Sequence, residues 1–153
     1  MGFESIPERS NGDRVYHSWW NDIRSALLNA FGMESKHATE FTFANNQTSW
    51  ADVTGLTFDF PSSRSAIVTV DIMRRTDTAS SEVRAIARLV LAWRPQDVAW
   101  EILSQSFDGD EDHGVEFQVV TTDTLGQVQY RSTSISGSNY YGLSKYKAEA
   151  ING

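Results

Sequence analysis

The carboxylates of this sequence are concentrated in one short segment, Asp108-Gly109-Asp110-Glu111-Asp112-His113-Gly114. Asp108, Asp110 and Asp112 alternate with other residues, and oxygen ligands that converge in this way can bind Ca²⁺, which takes about six to eight of them. The spacing does not fit an EF-hand loop, because His113 stands at its glycine position and Val119 at its final glutamate position. The segment predicts a solvated acidic hairpin loop and no metal site, with calcium binding by the three aspartates as the alternative.

The sequence contains no motif that marks a catalytic site, and a Ser-His-Asp triad or a metal site assembled by the fold is the alternative. The three histidines, His17, His37 and His113, are scattered, and the chain has no cysteine to act as nucleophile or metal ligand. There is no Gly-x-Ser-x-Gly motif to present a serine and no glycine-rich loop to hold a phosphate. We therefore expect a protein without enzymatic activity and without a cofactor.

Aromatic residues are the second feature with functional potential. Tyr140 and Tyr141 lie beside small polar residues, and tyrosine supplies rigid, amphipathic contact area. The pair is a candidate recognition edge for a host surface glycan, but core packing or a subunit contact is the favoured interpretation. Trp50 is another aromatic residue that could contribute to a glycan-stacking face.

Composition restricts the classes of function. The chain has 153 residues, with 13 Lys and Arg against 20 Asp and Glu, for a formal net charge of -7. An acidic protein is a poor match for nucleic acid, which is bound through a basic face. The sequence shows neither a secretory signal pattern nor an apolar run of the ~20 residues that a spanning helix needs. We expect a soluble protein that binds neither nucleic acid nor membrane.

The elements that position these residues begin with an N-terminal anchoring segment, residues 1–35. Residues 1–17 read as an extended, turn-containing arm, and Ser18 is a good N-cap for a helix that ends near Gly32. Adjacent helical tryptophans point about 100° apart, so one small domain rarely buries both. Docking onto a partner subunit is the favoured interpretation, and packing on the chain's own sheet is the alternative. The predicted docking residues are Trp19, Trp20, Ile23, Leu27 and Phe31.

Residues 36–153 predict a β domain. Short runs rich in Val, Ile, Thr and aromatic residues alternate with turn residues, which is typical of a mainly β, antiparallel sandwich or jelly roll of about eight strands. Alternation predicts one strand face made of Ala66, Val68, Val70 and Ile72 and another made of Val98, Trp100 and Ile102. A turn is predicted at Asp108-Gly109. The segment 82–93 fits a helix as well as a strand buried on both faces, and the strand is favoured because Pro95 and another strand-like run follow directly. The predicted strands are 40–44, 54–60, 65–75, 82–93, 98–104, 115–121, 127–134 and 140–148.

Several segments resemble the virion structural proteins of tailed bacteriophages. Residues 6–32, IPERSNGDRVYHSWWNDIRSALLNAFG, are similar to an N-terminal segment in which a polar arm leads into an SWWN helix. The matching pieces of the β domain are FTFANNQTSWADVTGLTFDF at 41–60, the strand that begins at Arg64, GVEFQVVTTDTLGQVQY at 114–130 and STSISGSNYYG at 132–142. The chain departs from this pattern in the turn at Arg94-Pro95 and in the acidic loop.

The resemblance implies a non-enzymatic component of a phage particle, made in the cytoplasm of the bacterial host. It would be anchored through its N-terminal segment and would display the β domain outwards, as capsid decoration or head fibre, or as part of the tail or its fibres. Its partners would be other virion proteins, and repeated virion units imply a closed symmetric oligomer, here expected to be a homotrimer. The alternative is a host-receptor or glycan-binding module of a tail fibre.

Overall fold

A computed structural model describes residues 22–23, 38–78 and 80–152 of the chain. The chain divides into two units, Met1–His37 and Ala38–Gly153. In the first unit only Asp22 and Ile23 are described, and both are helical, with Ile23 half-buried. The predicted arm and the other docking residues lie outside the described residues. Those residues are Trp19, Trp20, Leu27 and Phe31.

The second unit is built from eight β-strands in two antiparallel sheets. The larger sheet has the order β1-β8-β3-β4-β5, and the smaller sheet has the order β2-β7-β6. The predicted mainly β class and the antiparallel β-sandwich are therefore confirmed. The strands are β1 Thr39–Thr42, β2 Ala51–Asp59, β3 Ser63–Arg74, β4 Val83–Arg94, β5 Ala99–Gly109, β6 Val115–Thr122, β7 Leu125–Ser132 and β8 Leu143–Asn152.

Alternation of side chains along the strands places the core between the sheets. Residues two apart in a strand point to the same face, so an apolar set at this spacing can be buried together. In β3 the predicted inward set is fully buried, while Thr69 and Asp71 between its members are exposed. The inward set consists of Ala66, Val68, Val70 and Ile72.

Val98 departs from the predicted pattern. The sequence suggested one face made of Val98, Trp100 and Ile102, but Val98 is 63% exposed. It lies in the turn before β5 with a positive φ of 51°, so its side chain does not share the register of the strand. The buried face begins at Trp100, which is 3% exposed.

The ambiguous segment 82–93 is a strand. As β4 it pairs with β3 on one side and with β5 on the other. Its inward residues Ala85, Ala87, Leu89 and Leu91 are buried. The outward face of β4 is also partly apolar, because it includes Ile86 and Val90. Apolar residues on both faces of the strand gave the sequence its helix-like spacing.

Aromatic packing and hydrogen bonds join the sheets. Phe43, fully buried just after β1, makes edge contacts with Tyr130 at 5.0 Å and with Phe117 at 6.1 Å between ring centroids. The Tyr146 hydroxyl of the larger sheet donates to the Thr54 carbonyl of the smaller sheet at 2.9 Å. The Trp100 Nε1 donates to the Thr124 carbonyl at 3.0 Å. Within the described ranges, no helix is long and apolar enough to cross a membrane.

Candidate functional site

The connections 43–50, 110–114 and 133–142 meet at one end of the sandwich, which we call the loop end, and residues 75–78 after β3 are hydrogen-bonded to the third of them. The Asn45 side chain donates to the Ile135 carbonyl at 3.0 Å and accepts from the Ile135 N–H at 2.8 Å, which ties the first connection to the third. The Thr133 N–H donates to the Gly114 carbonyl at 2.9 Å, which ties the third to the second. The loop end is therefore cross-linked by hydrogen bonds between its loops.

Arg74, the last residue of β3, lies under these connections and is fully buried. Its Nη1 donates to the carbonyls of His113 at 2.8 Å and Gly114 at 3.2 Å, and its Nη2 donates to the Thr133 carbonyl. Its Nε donates to the Tyr140 hydroxyl at 3.1 Å. No carboxylate in the described part of the chain pairs with this guanidinium, so carbonyl and hydroxyl oxygens replace its hydration.

His113 belongs to the same cluster. Its ring stacks on Phe107 with centroids 4.0 Å apart, and its Nδ1 accepts a hydrogen bond from the Val115 N–H at 3.1 Å. Burial lowers the pKa of His113 below the ordinary value of 6.5, the charge of Arg74 lowers it further, and Asp112 opposes both effects. The imidazole is thus held in its neutral form, which has a lone pair to accept the Val115 bond.

The structure separates the acidic residues that the sequence grouped. Asp108 is exposed within β5, opposite Ile86. Asp110 accepts from the Arg84 N–H through its Oδ2 at 2.8 Å, so it extends the pairing of β4 with β5. The predicted turn at Asp108-Gly109 is wrong, because β5 continues through Gly109 and the chain turns at Glu111 and Asp112. No three His, Cys, Asp or Glu side chains among the described residues are placed to hold a metal ion.

Tyr140 and Tyr141 lie at the loop end, just before β8. Tyr140 is half-buried, and its hydroxyl accepts from Arg74. Tyr141 is 41% exposed, with the Arg75 guanidinium 5.1 Å from its ring centroid. The structure therefore joins Tyr140 to the His113–Gly114 backbone through Arg74, and it leaves part of Tyr141 accessible.

A polar groove of about 370 Å³ opens at the loop end, and we call it the loop-end groove. Arg131 and Glu116 face each other across the β6–β7 pair, with Arg131 Nε and Nη2 at 2.8 and 2.6 Å from the same oxygen, Glu116 Oε2. The Arg131 guanidinium also lies 4.9 Å from the ring centroid of Trp50. The groove is lined by Asn46, Gln47, Thr48, Gly114, Glu116, Arg131, Ser132, Thr133 and Ser134.

The sequence pattern indicates Trp50 as a possible contact residue, but it does not indicate the residues that line this groove. Glu116 and Arg131 are 15 positions apart, and nothing in their local sequence marks them as partners. A cross-strand pair could have been found only by placing the β6–β7 hairpin in its correct register, which brings the two residues opposite each other.

A second groove of about 600 Å³ lies at the other end of β3, and we call it the apolar groove. Phe60 and Trp93 stack there with centroids 4.7 Å apart and an interplanar angle of 6°. Glu116 in the loop-end groove is the sole carboxylate among the described residues that line either groove. Neither groove thus has the two facing carboxylates that most glycoside hydrolases use. The apolar groove is lined by Phe60, Pro61, Arg64, Ser65, Trp93, Pro95, Ile151 and Asn152.

Known proteins resemble this chain in structure but not detectably in sequence. No protein-family model matches the sequence, and no curated protein matches it. The structure is similar to the tailspike protein of Acinetobacter phage vB_ApiP_P1, with 13% identity and a TM-score of 0.34 over 76% of this chain and 20% of that chain. It is also similar to the tailspike protein of Acinetobacter baumannii phage AM24, with 13% identity and a TM-score of 0.32 over 76% of this chain and 26% of that chain.

The chain spans about a fifth to a quarter of the length of these two tailspike proteins.

Proposed function

We propose that this chain is a non-enzymatic structural component of a tailed-phage virion, anchored through residues 1–35 and displaying its β domain outwards. The observation that carries the proposal is the similarity of residues 6–32 to the N-terminal arm and SWWN helix of phage virion proteins. The resemblance of the segments 41–60, 114–130 and 132–142 to the β domain of those proteins supports it.

The physical design of the chain is consistent with this role. The described unit has its own core of buried residues between two sheets, so a displayed domain would not need the anchor for its packing. The anchor would bury its aromatic residues against other virion proteins or against copies of itself, because apolar area removed from water contributes about 25 cal/mol per Å². We propose that the protein is a homotrimer. It would serve either on the head, as capsid decoration or head fibre, or in the tail or a tail fibre.

Immunogold labelling of phage particles with an antibody to residues 40–153 tests the proposal. Label spread over the head would support decoration of the capsid or a head fibre, and label at the tail or its tip would support a tail or fibre component. Purified particles that carry no label, while the same antibody detects the protein in infected cells, would contradict the proposed role.

A host-receptor or glycan-binding module is the second candidate function, and the partial exposure of Tyr141 at the loop end favours it. This function predicts saturable binding of the protein to host cells, measured by flow cytometry with labelled protein, that Tyr141→Ala weakens. Val98→Ala is the matched control, because Val98 is exposed in the turn before β5. Equal binding by the wild type and Tyr141→Ala would exclude Tyr141 from the contact.

A further inference from the structure

We propose that residues 111–113 act as an acid-released latch, closed over the loop end while His113 is neutral and open once its imidazole is protonated. Opening would be local, so the two sheets would stay folded on either side of it. The latch is a property of the β unit and does not depend on the virion role proposed above.

Fixed points on both sides define the latch. Asp110 is held by Arg84, because its N–H donates to the Arg84 carbonyl at 2.8 Å and its Oδ2 accepts from the Arg84 N–H at 2.8 Å. Gly114 is held by Thr133, whose N–H donates to the Gly114 carbonyl at 2.9 Å. Between these points, residues 111 and 112 form an exposed turn. Movement of this turn and of His113 therefore need not disturb the pairing of β5 or of β6.

The contacts of His113 hold the latch closed, and one of them requires the neutral ring. The ring stacks on Phe107 with centroids 4.0 Å apart, and the His113 carbonyl accepts from Arg74 Nη1 at 2.8 Å. His113 Nδ1 accepts from the Val115 N–H at 3.1 Å, which only an unprotonated nitrogen can do. Protonation at Nδ1 turns this acceptor into a donor that faces another donor, so the Val115 bond is lost.

The surroundings of His113 also disfavour a proton in the closed latch. From β3 it faces the fully buried guanidinium of Arg74, and within the latch it faces the exposed carboxylate of Asp112. β5 and β6 meet it with Phe107 and a backbone N–H, which carry no charge. The titratable group of the third connection is the Tyr140 hydroxyl, which accepts from Arg74. Burial lowers the pKa of His113, Arg74 lowers it further, and Asp112 opposes them only in part.

The direction of the pH effect follows from these contacts. In the open latch His113 is surrounded by water, where an imidazole has a pKa of about 6.5. Because its pKa is lower in the closed latch, a proton binds more tightly to the open form. The closed form is fully favoured above about pH 6.5, and its population relative to the open form falls by up to about tenfold per pH unit below that, until the pH reaches the lowered pKa. Opening exposes the half-buried ring of Phe107, which keeps its stacking on Phe117 and loses His113.

Hydrogen exchange of the full-length, ¹⁵N-labelled protein tests the latch at the Val115 N–H, which His113 holds in the closed form. Protection factors, corrected for the pH dependence of intrinsic exchange, are measured between about pH 7.5 and about pH 5.5. We expect Val115 to lose about tenfold or more of its protection over this range. Exchange at Val115 should be insensitive to low concentrations of urea, since local opening exposes little surface. Exchange at Leu89, fully buried in β4 between β3 and β5, should rise with urea.

Three variants identify the titrating group. His113→Asn keeps an acceptor for the Val115 N–H but does not titrate, so the protection of Val115 should be nearly independent of pH. Asp112→Asn removes the carboxylate that favours the protonated ring, so the pKa of His113, followed through its ring resonances, should fall further and release should need a lower pH. Glu111→Gln is the matched control and should leave the release unchanged, because Glu111 is an exposed neighbour that is not among the groups that shift the pKa of His113.

Equal loss of Val115 protection in the wild type and in His113→Asn would overturn the latch, and so would unchanged protection across the pH range. Exchange at Val115 that rises with urea in parallel with Leu89 would also overturn it, because the whole β unit would then open rather than residues 111–113. None of these results would affect the virion proposal, which depends on the labelling of particles.

Discussion

At the scale of single residues, Arg74 is a fully buried guanidinium at the end of β3. A buried guanidinium is costly to desolvate unless every donor finds an oxygen, and here those oxygens come from the loops at 113–114, at 133 and at Tyr140. The cost of its burial is thus offset by bonds that hold the loop end together.

Arg74→Met should therefore destabilise the fold by about 2–4 kcal/mol, because it removes every hydrogen bond of the guanidinium and takes from the His113 carbonyl the donor that it has in the described structure. Urea unfolding, followed by the fluorescence of the tryptophans, measures the free energy of unfolding. Arg75→Met is the control, since Arg75 contacts the exposed ring of Tyr141 and its loss should cost about 0.5–1 kcal/mol. Equal losses for the two variants would contradict the role assigned to Arg74.

His113 makes the stability of the fold depend on pH. Because its pKa is lowered in the folded state, the unfolded chain takes up the proton first as the pH falls below about 6.5. The contribution of His113 is complete above that pH and is lost as the pH falls through the lowered folded pKa. Wild-type protein should thus lose more thermal stability than His113→Asn between about pH 7.5 and pH 5.5.

In His113→Asn, the amide oxygen can still accept from the Val115 N–H, but the side chain does not titrate. Differential scanning calorimetry across this range provides the comparison, and carboxylates titrate mostly at lower pH in both proteins. Parallel dependence of Tm on pH for the two proteins would show that His113 is not the titrating group.

At the scale of elements, the close approach of β7 to β5 depends on a glycine. Gly126 is buried in β7, and a Cβ atom at this position would lie 2.6 Å from Cγ of Trp100. The indole has little freedom to move away, because its Nε1 is bonded to the Thr124 carbonyl. A glycine is therefore required at position 126 because a side chain there would collide with Trp100, and not because the backbone has an unusual φ angle.

Gly126→Ala should destabilise the protein by about 1–3 kcal/mol, the usual cost of overpacking a core. Calorimetry should show a Tm lowered by several degrees, roughly 2–8 °C per kcal/mol depending on domain size. Leu125→Ala is the neighbouring control, since Leu125 is 42% exposed on the outer face and its truncation should change stability by less than about 0.5 kcal/mol. An unchanged Tm for Gly126→Ala would mean that Trp100 can shift without cost.

The elements also show how much the sequence could predict. The face of β3 was predictable because one side of that strand is apolar and the other polar, which fixes the alternation. β4 was ambiguous because Ile86 and Val90 make its outer face apolar as well. The loop-end groove could not be predicted, because the Glu116–Arg131 pair depends on the register of a hairpin that turns at Asp123, a residue with φ of 56°.

At the scale of the whole molecule, the described β unit contains a continuous core of its own, from Phe43 after β1 to Tyr146 in β8. The predicted docking residues other than Ile23 lie outside the described residues, so their role remains a proposal. If residues 1–35 serve as an anchor, folding of the β unit and assembly of the protein should be separable by mutation.

The double variant Trp19→Ala/Trp20→Ala should therefore lose the homotrimer while the β unit stays folded. Multi-angle light scattering after size exclusion measures the mass of the particle, and calorimetry should show a transition of the β unit within about 2 °C of the monomeric wild type at low concentration. The matched control is Trp19→Phe/Trp20→Phe, which keeps large apolar side chains and should keep the trimer, because burial of apolar area drives the association. A trimer that survives the alanine substitutions would contradict the anchor, and loss of the β transition would show that these tryptophans pack within the fold instead.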